Sequence, residues 1–368
     1  MSPYAHITGW GMAVPSRVLS NADLEKMVDT DDDWIQTRTG IRQRHIVGED
    51  ESTATLAKQA ALNALKVANL NPADIELIIV STSTPEYLFP ATACIVQDWI
   101  GAVHAGAFDL SAACSGFIYA LNIASQSIRS GSIQNALVIG AETLSRFVDW
   151  EDRSTCILFG DGAGAFVLQA SDEPGGLLSA VMRSDGSGWN LLSLPAGGSH
   201  LPASAETILH KQHTIHMNGR EVFRFATRVI VQATRDAVAI AQLKMEDVQI
   251  VIPHQANLRI IEAAMRGLDI PLDQCFVNIE RYGNTSTASI PIATCEAIQQ
   301  GRLQAGDNTV FVGFGSGLTW GAALVRWTGP FLPHRHIYPA SYRLWVRVRS
   351  RLLKFLRQLE GWIWGRNL

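Results

Sequence analysis

The chain has 368 residues, 47% hydrophobic and 17% charged, with 30 Gly and 14 Pro, a globular composition that excludes disordered, collagen-like and fibrous proteins. Its five cysteines, at 94, 114, 156, 275 and 295, are an odd number with no C-x-x-C pair. That excludes a disulfide framework and a zinc ribbon, and points to reduced thiols and a cytoplasmic setting. The net charge of −4 is uneven: from Pro330 onward eight Arg and Lys face one acid, Glu360, while the residues before it carry 22 cations against 33 acids, a net −11. An acidic body argues against nucleic acid as a partner, and the basic tail needs its own explanation.

Along the chain, the N-terminus MSPYAHITGWGMAVP lacks the basic and apolar regions of a secretory signal, and no run reaches the roughly 18 apolar residues that span a bilayer. Neither secretion nor membrane spanning is expected. TDDDW (Thr30 to Trp34) reads as an acid-rich helix start. Thr53 to Ala68 and Val222 to Ala241 have helical character, whereas Leu77 to Val80, Ala136 to Gly140, Val248 to Ile252 and Val310 to Gly313 read as short buried strands. The alternation predicts an α/β protein.

A duplication underlies it. PADIELIIVSTST matches MEDVQIVIPHQAN with Asp74 opposite Asp247, and AFDLSAACSGF matches CFVNIERYGNTS with Cys114 opposite Asn284, an offset of 170. Each following helix ends at a glycine, Gly131 or Gly301, where the left-handed conformation is free of steric cost. Related halves would bring loops after equivalent strands together, so Cys114, His254 and Asn284 could share one site.

Cys114 stands where a strand gives way to small residues and an apolar helix. Helix-start N–H groups favour thiolate there, which suits a nucleophile; the alternative is a small buried hydrophobe, which also describes Cys94, Cys156, Cys275 and Cys295. His254 ends a strand, and Asn284 lies in a Gly-Asn turn. A thiolate, an imidazole and an amide donor together suit acyl-thioester chemistry. GFGSGLTWG (Gly313 to Gly321) could bring a backbone N–H to a developing oxyanion. FGDGAGA (Phe159 to Ala165) reads as a tight connection between strands rather than a nucleotide loop, and the spacing of His210, His213 and His216 does not make a metal site.

NADLEKMVDTDDDWIQTRTGIRQRHI, AFDLSAACSGF, DRSTCILFGDGAGA, PHQANLRII, GNTSTAS and GSGLTWGAALVRW resemble the β-ketoacyl-acyl carrier protein synthase III family of the thiolase superfamily, in order over residues 1 to about 327. The resemblance implies a thiolase-like five-layered αβαβα fold from two duplicated halves, over 1–171 with Cys114 and 172–328 with His254 and Asn284, and a homodimer. It implies that Cys114 takes an acyl group from acyl-CoA and condenses it with malonyl-acyl carrier protein, with no cofactor and no metal. His254 and Asn284 would stabilise the enolate, and the N–H groups of Cys114 and Gly315 would form the oxyanion hole. Trp34 and Arg153 would sandwich the CoA adenine, with Thr30 and Arg38 near the nucleotide and Gly219 and Asn257 along the pantetheine arm. Arg224, Arg259 and Arg266 would dock the acidic carrier protein, and Phe89 would cap the acyl pocket of the neighbouring subunit. Arg220 departs from the family's pattern, which often has Asn beside the pantetheine channel.

The tail, 329–368, has no counterpart in typical members. After the Pro-rich connector TGPFLPHRHIYPAS, Leu344, Val348, Leu352, Phe355, Leu359 and Trp362 form one apolar helix face, with Arg347, Arg351, Lys354 and Arg357 off it and Trp362 and Trp364 at its end. Two readings fit this helix over 341–364: peripheral contact with an anionic membrane, or docking on the acidic body. For the whole chain the leading expectation is a condensing enzyme that starts fatty-acid synthesis. The alternatives are a specialised condensing or acyl-transfer enzyme of secondary metabolism and a non-catalytic, membrane-tethered scaffold.

Overall fold

Ser52 opens the first long helix by accepting from Thr55 N–H, while the Thr55 hydroxyl accepts from Ser52 N–H; Asn69, at φ +50°, closes it. Such caps satisfy end groups that a helix leaves unpaired. The computed structural model describes residues 3–330 and 340–363. In the first half these are β1 (Tyr4–Ala13), α1 (Asp32–Thr39), α2 (Thr53–Ala68), β2 (Leu77–Ser81), α3 (Thr92–Ile100), β3 (Gly106–Leu110), α4 (Gly116–Arg129), β4 (Asn135–Thr143) and β5 (Asp161–Ser171). The second half has β6 (Gly176–Ser184), α5 (Gly219–Ile240), β7 (Ile250–Pro253), α6 (Leu258–Leu268), α7 (Ser289–Gln299), β8 (Asn308–Gly315) and β9 (Thr319–Arg326), and α8 (Ala340–Ile363) follows. Asp31 caps α1 by accepting from Trp34 N–H at 2.7 Å, as the acidic string predicted.

The first sheet runs β1-β5-β4-β2-β3 and the second β6-β9-β8-β7. In both, β2 or β7 pairs in parallel with β4 or β8 and two further pairs are antiparallel, and in the first sheet β2 also pairs in parallel with β3. A parallel bridge from Val251 to Cys275 stands where a counterpart of β3 would lie. The two orders are therefore the same topology. Matching side chains agree: Asn135 Nδ2 donates to Asp74 O at 3.0 Å and Asn308 Nδ2 to Asp247 O at 2.8 Å. Gly131 and Gly301 both take positive φ, +78° and +69°, at the ends of α4 and α7.

The register near the site differs from the sequence expectation. The short helical turns Ala113–Ser115 and Ser286–Ala288 are equivalent, and Ala113 and Ser286 both have positive φ, +47° and +49°. This keeps the Asp74-to-Asp247 spacing of 173 and places Thr287, not Asn284, opposite Cys114. Backbone conformation fixes that match, whereas the strings themselves could be slid by three residues.

α4 and α7 lie between the sheets, where Phe117, Leu121, Ile290 and Ala293 meet Phe166 and Phe311. This central position explains why α4 is apolar around its circumference. Phe117 packs edge-on to Phe166 at 5.0 Å, and Phe117→Ala would cost about 3–5 kcal/mol. α2 and α3 cover the outer face of the first sheet, α5 and α6 that of the second, giving five layers. The glycine-rich FGDGAGA string is not a connection: Gly162 and Gly164 lie inside β5, where a Cβ on Gly164 would come within 2.6 Å of Pro291. Bare backbone there lets α7 approach the sheet. Cys94 is exposed, unlike Cys114, Cys156, Cys275 and Cys295, because it sits on α3 beside β3, the edge strand of the first sheet.

The Pro-rich connector from Phe331 to Pro339, Trp364 and the side chain of Trp362 lie outside the described residues. Among the described residues no helix is long and apolar enough to cross a membrane.

Candidate active site

The chain after β3 tightens into the turn Ala113–Ser115 and then enters α4, so Cys114 is buried at the base of that helix. His254 follows β7 directly, its N–H donating to Val312 O at 2.8 Å on the neighbouring strand. Asn284 is held by its backbone, donating to Leu158 O at 2.8 Å and accepting from Gly160 N at 3.0 Å. The three expected residues converge: Cys114, His254 and Asn284 line one cavity of about 360 Å³ together with Gly315. Gly315 has no room for a side chain, because a Cβ there would lie 2.6 Å from Cys114 N. The backbone of β8 thus passes directly against the nucleophile's own N–H.

Each polar side chain is oriented by a neighbour. His254 Nδ1 and Ser289 Oγ are 2.7 Å apart, and Ser289 Oγ also accepts from Gln255 N–H at 3.3 Å. With the serine hydrogen directed at Nδ1, the ring proton is carried on Nε2. Burial pushes the His254 pKa down to about 3, so the ring is neutral. Asn284 Oδ1 accepts from Ser286 N–H at 2.8 Å, which leaves its amide N–H₂ as the group available to a ligand. Ser286 Oγ in turn donates to Glu142 at 2.9 Å, and the Glu142 carboxylate also accepts from Thr84 Oγ at 2.7 Å and Ser83 N at 3.1 Å. Burial raises Glu142 to about 7 against these hydrogen bonds.

The helix start does not make Cys114 a thiolate. Burial pushes the thiol up to about 12, a hydrogen bond from Ser286 pulls the other way, and nearby Glu142 adds to the rise. Desolvation of the charged sulfur outweighs the donors around it.

Cys114 also lines a second cavity of about 380 Å³, bounded by Ala112, Leu144, Phe147, Phe159 and Leu192. The cysteine stands where a largely apolar chamber meets the channel that carries His254 and Asn284. Trp34, Arg38, Gly219 and Asn257 line that channel, while Thr30 and Arg153 do not. Arg153 lies over the Trp34 ring at 5.1 Å and Arg38 at 5.9 Å, so the expected sandwich is closed on itself. Opening it for a purine breaks one half-exposed cation–π contact worth about 0.5–1 kcal/mol. Asn257 caps α6, accepting from Arg259 N at 2.9 Å, and its amide donates to Arg38 O at 3.0 Å, tying α6 to α1. Arg220 is exposed and outside the channel lining.

Arg224 on α5 and Arg259 and Arg266 on the adjacent α6 are all exposed. Arg259 lies over Phe223 at 5.7 Å, and Phe223 lines the channel, so the basic surface begins at its rim. Phe89 is 85% exposed and touches neither cavity. Among the described residues no group of three or more His, Cys, Asp and Glu could hold a metal ion; His213 instead bonds Thr207 Oγ at 2.8 Å. Glu142, Ser286 and Ser289 went unmarked in the sequence, because their partners lie 144 residues away in the first case and 35 in the last.

A cysteine between an acyl-sized chamber and a donor-lined channel, on a duplicated five-layer scaffold, defines a thiolase-like condensing acyltransferase. The family model for 3-oxoacyl-[acyl-carrier-protein (ACP)] synthase III matches residues 108–186, and that for its C-terminal part matches 238–327. A β-ketoacyl-[acyl-carrier-protein] synthase III from Roseiflexus sp. (strain RS-1) is 52% identical over 328 residues, 89% of this chain and 100% of that protein. The crystal structure of 3-oxoacyl-[acyl-carrier-protein] synthase III from Aquifex aeolicus VF5 superposes with a TM-score of 0.81 at 50% identity, covering 88% of this chain and 100% of that one. The priming β-ketosynthase from the R1128 polyketide biosynthetic pathway gives 0.83 at 36%, covering 89% and 98%. The chain belongs to the β-ketoacyl-[acyl-carrier-protein] synthase III family. It is therefore an enzyme, an acyltransferase of the condensing class, and the scaffold alternative falls.

Proposed function

We propose that this enzyme starts fatty-acid synthesis by joining an acyl group from acyl-CoA to malonyl-acyl carrier protein. The observation that carries this reading is the position of Cys114 at the junction of the two cavities. A thioester delivered through the channel meets the sulfur, and its acyl chain extends into the apolar chamber. Trp34, Arg38 and Arg153 hold the nucleotide end with Thr30 nearby, and Gly219 and Asn257 flank the pantetheine arm. Sulfur attacks the carbonyl carbon while the N–H groups of Cys114 and Gly315 take the oxyanion. The C–S bond to CoA breaks, and the thiol proton leaves with the CoA sulfur.

Malonyl-acyl carrier protein then occupies the emptied channel, docked on Arg224, Arg259 and Arg266. The carboxylate leaves as carbon dioxide, and the electrons left behind form an enolate. His254 Nε2–H and the Asn284 amide donate to its oxygen. As neutral donors they stabilise charge that develops during the reaction, without an ion pair already formed in the ground state. The enolate carbon attacks the acyl carbon, the bond to Cys114 breaks, the released thiolate takes a proton from water, and 3-oxoacyl-carrier protein departs. CoA and the carrier protein act as substrates, and no cofactor is needed.

The reading includes a cytoplasmic homodimer. Exposed Tyr87, Leu88 and Phe89, with Phe108 on the edge strand β3, supply an unpaired strand and apolar side chains for a second copy, and Phe89 then reaches the partner's acyl chamber. A primer role in secondary metabolism is the second reading, favoured by the likeness to the R1128 synthase, and it differs in acyl group rather than chemistry.

The test supplies a panel of acyl-CoAs with malonyl-carrier protein and follows 3-oxoacyl-carrier protein and carbon dioxide. Short primers should give product with wild type and none with Cys114→Ala. Product from malonyl-carrier protein and an acyl-carrier donor, but from no acyl-CoA, would contradict the proposal.

A further inference from the structure

α8 stands outside the catalytic body, and the matched family model ends at residue 327, before it. The helix Ala340–Ile363 carries six cationic residues, Arg343, Arg347, Arg349, Arg351, Lys354 and Arg357, against the acid Glu360. Leu344, Val348, Leu352, Phe355 and Leu359 follow at steps of 4, 4, 3 and 4 and share one face. Were the helix docked on its own body, that stripe would be the buried side.

The opposite holds. Ser350 and Lys354, on the far side of the wheel, meet α3: Ser350 Oγ donates to Asp98 Oδ2 at 3.0 Å, and Lys354 Nζ lies 3.9 Å from the same oxygen. Leu344, Val348, Leu352 and Phe355 remain 53 to 64% exposed. The helix touches α3 through Ser350 and Lys354 and holds Leu344, Val348, Leu352 and Phe355 outward, with Leu359 half-buried. Arg349 and Arg351 fall at the two edges of the stripe by the same wheel, and the Arg349 guanidinium lies over Trp345, itself half exposed, at 5.8 Å.

We infer that α8 is a peripheral membrane-docking helix whose partner is an anionic lipid surface. Charge selects that occupant. Two α8 helices meeting stripe to stripe would bring their cationic margins together, whereas anionic headgroups neutralise them. An apolar strip bordered by Arg, with Trp and Phe on it and too little apolar length to cross, lies along the interface about 5–10 Å deep. The body is then held at the bilayer through α3. This inference rests on the exposed stripe and not on the catalytic reading.

The test is vesicle flotation of the full-length protein with phosphatidylcholine alone and with added phosphatidylglycerol. Wild type should float with the anionic vesicles and stay behind with the neutral ones, and added salt should release it. Neutralising Arg349 and Arg351 to Gln should weaken binding about fivefold per charge. Leu352→Asn with Phe355→Asn should abolish flotation while condensation in solution stays at the wild-type rate, which shows that the body is folded. Absence of flotation, equal binding to both vesicles, or flotation of the Asn variant would overturn the inference. Self-association that the Asn variant loses, without flotation, would assign the stripe to a second copy instead. Loss of condensation in wild type would count against the catalytic reading alone.

Discussion

Ser286 donates its hydroxyl to the buried carboxylate of Glu142 at 2.9 Å, joining the loop that carries Asn284 to the strand end beside Thr84. Ser286 holds φ +49°, a costly conformation for a residue with a side chain, and its N–H orients Asn284. Glu142 is thus a positioning residue for the amide donor. Its carboxyl ionises near 4.5 when unfolded and near 7 in the fold. Between those values the folded state binds the extra proton, so this group's contribution is complete below about 4.5 and is lost as pH rises through 7, up to about 3 kcal/mol. Thermal melts of Glu142→Gln against wild type should show this dependence removed; parallel curves would mean that the carboxyl ionises at the same pH in the folded and unfolded states.

His254 should stay neutral throughout the working range, because burial holds its pKa near 3. NMR of the imidazole is expected to show no titration between about pH 5 and 8, the interval in which an exposed histidine changes charge. A midpoint near 6.5 would contradict the neutral-donor role.

Asn284→Ala removes one enolate donor while leaving Cys114 untouched. Condensation should fall about 10²–10³-fold, with the acylation step close to wild type, as for loss of one oxyanion donor. Single-turnover measurement of the two steps separates them, and an equal fall in both would place Asn284 in acyl transfer as well.

The raised Cys114 pKa predicts slow alkylation by iodoacetamide that climbs about tenfold per pH unit from 7 to 9 without levelling. A plateau below pH 8 would reveal the stabilised thiolate that a helix start alone implies.

Arg224→Glu with Arg259→Glu should raise KM for malonyl-carrier protein and steepen no other dependence, since exposed charges steer partners more than they hold them. Wild type should lose this advantage as salt increases. An equal rise in KM for acyl-CoA would show that the patch serves the nucleotide instead.

Much of this was legible in the residues. Buried strands, the duplication and the trio Cys114, His254 and Asn284 follow from runs of apolar and small residues that occur twice. The register did not: equivalent positions carry unlike side chains. At the spacing of 173, Cys114 pairs with Thr287 and His254 with Ser81, and Thr287 Oγ donates to Ser81 Oγ at 2.8 Å. Both pairs span the two halves: Cys114 with His254 is the reactive pair, and Thr287 with Ser81 is an inert hydrogen bond at the equivalent place. Glu142 and Ser289 were equally invisible, because a buried partner far along the chain leaves no local spacing. The protonation state of Cys114 was misjudged for the same reason: desolvation comes from both halves at once, and a helix start is only one side of the pocket.

The central claim is that Cys114 is the acceptor of an acyl group delivered through the Trp34 channel. Intact-protein mass after incubation with each acyl-CoA, for wild type and Cys114→Ala, tests it most directly. The account predicts one acyl adduct on wild type, mapped to Cys114, absent from the variant and discharged by malonyl-carrier protein. An adduct that persists in Cys114→Ala, or one that malonyl-carrier protein leaves in place, would contradict it.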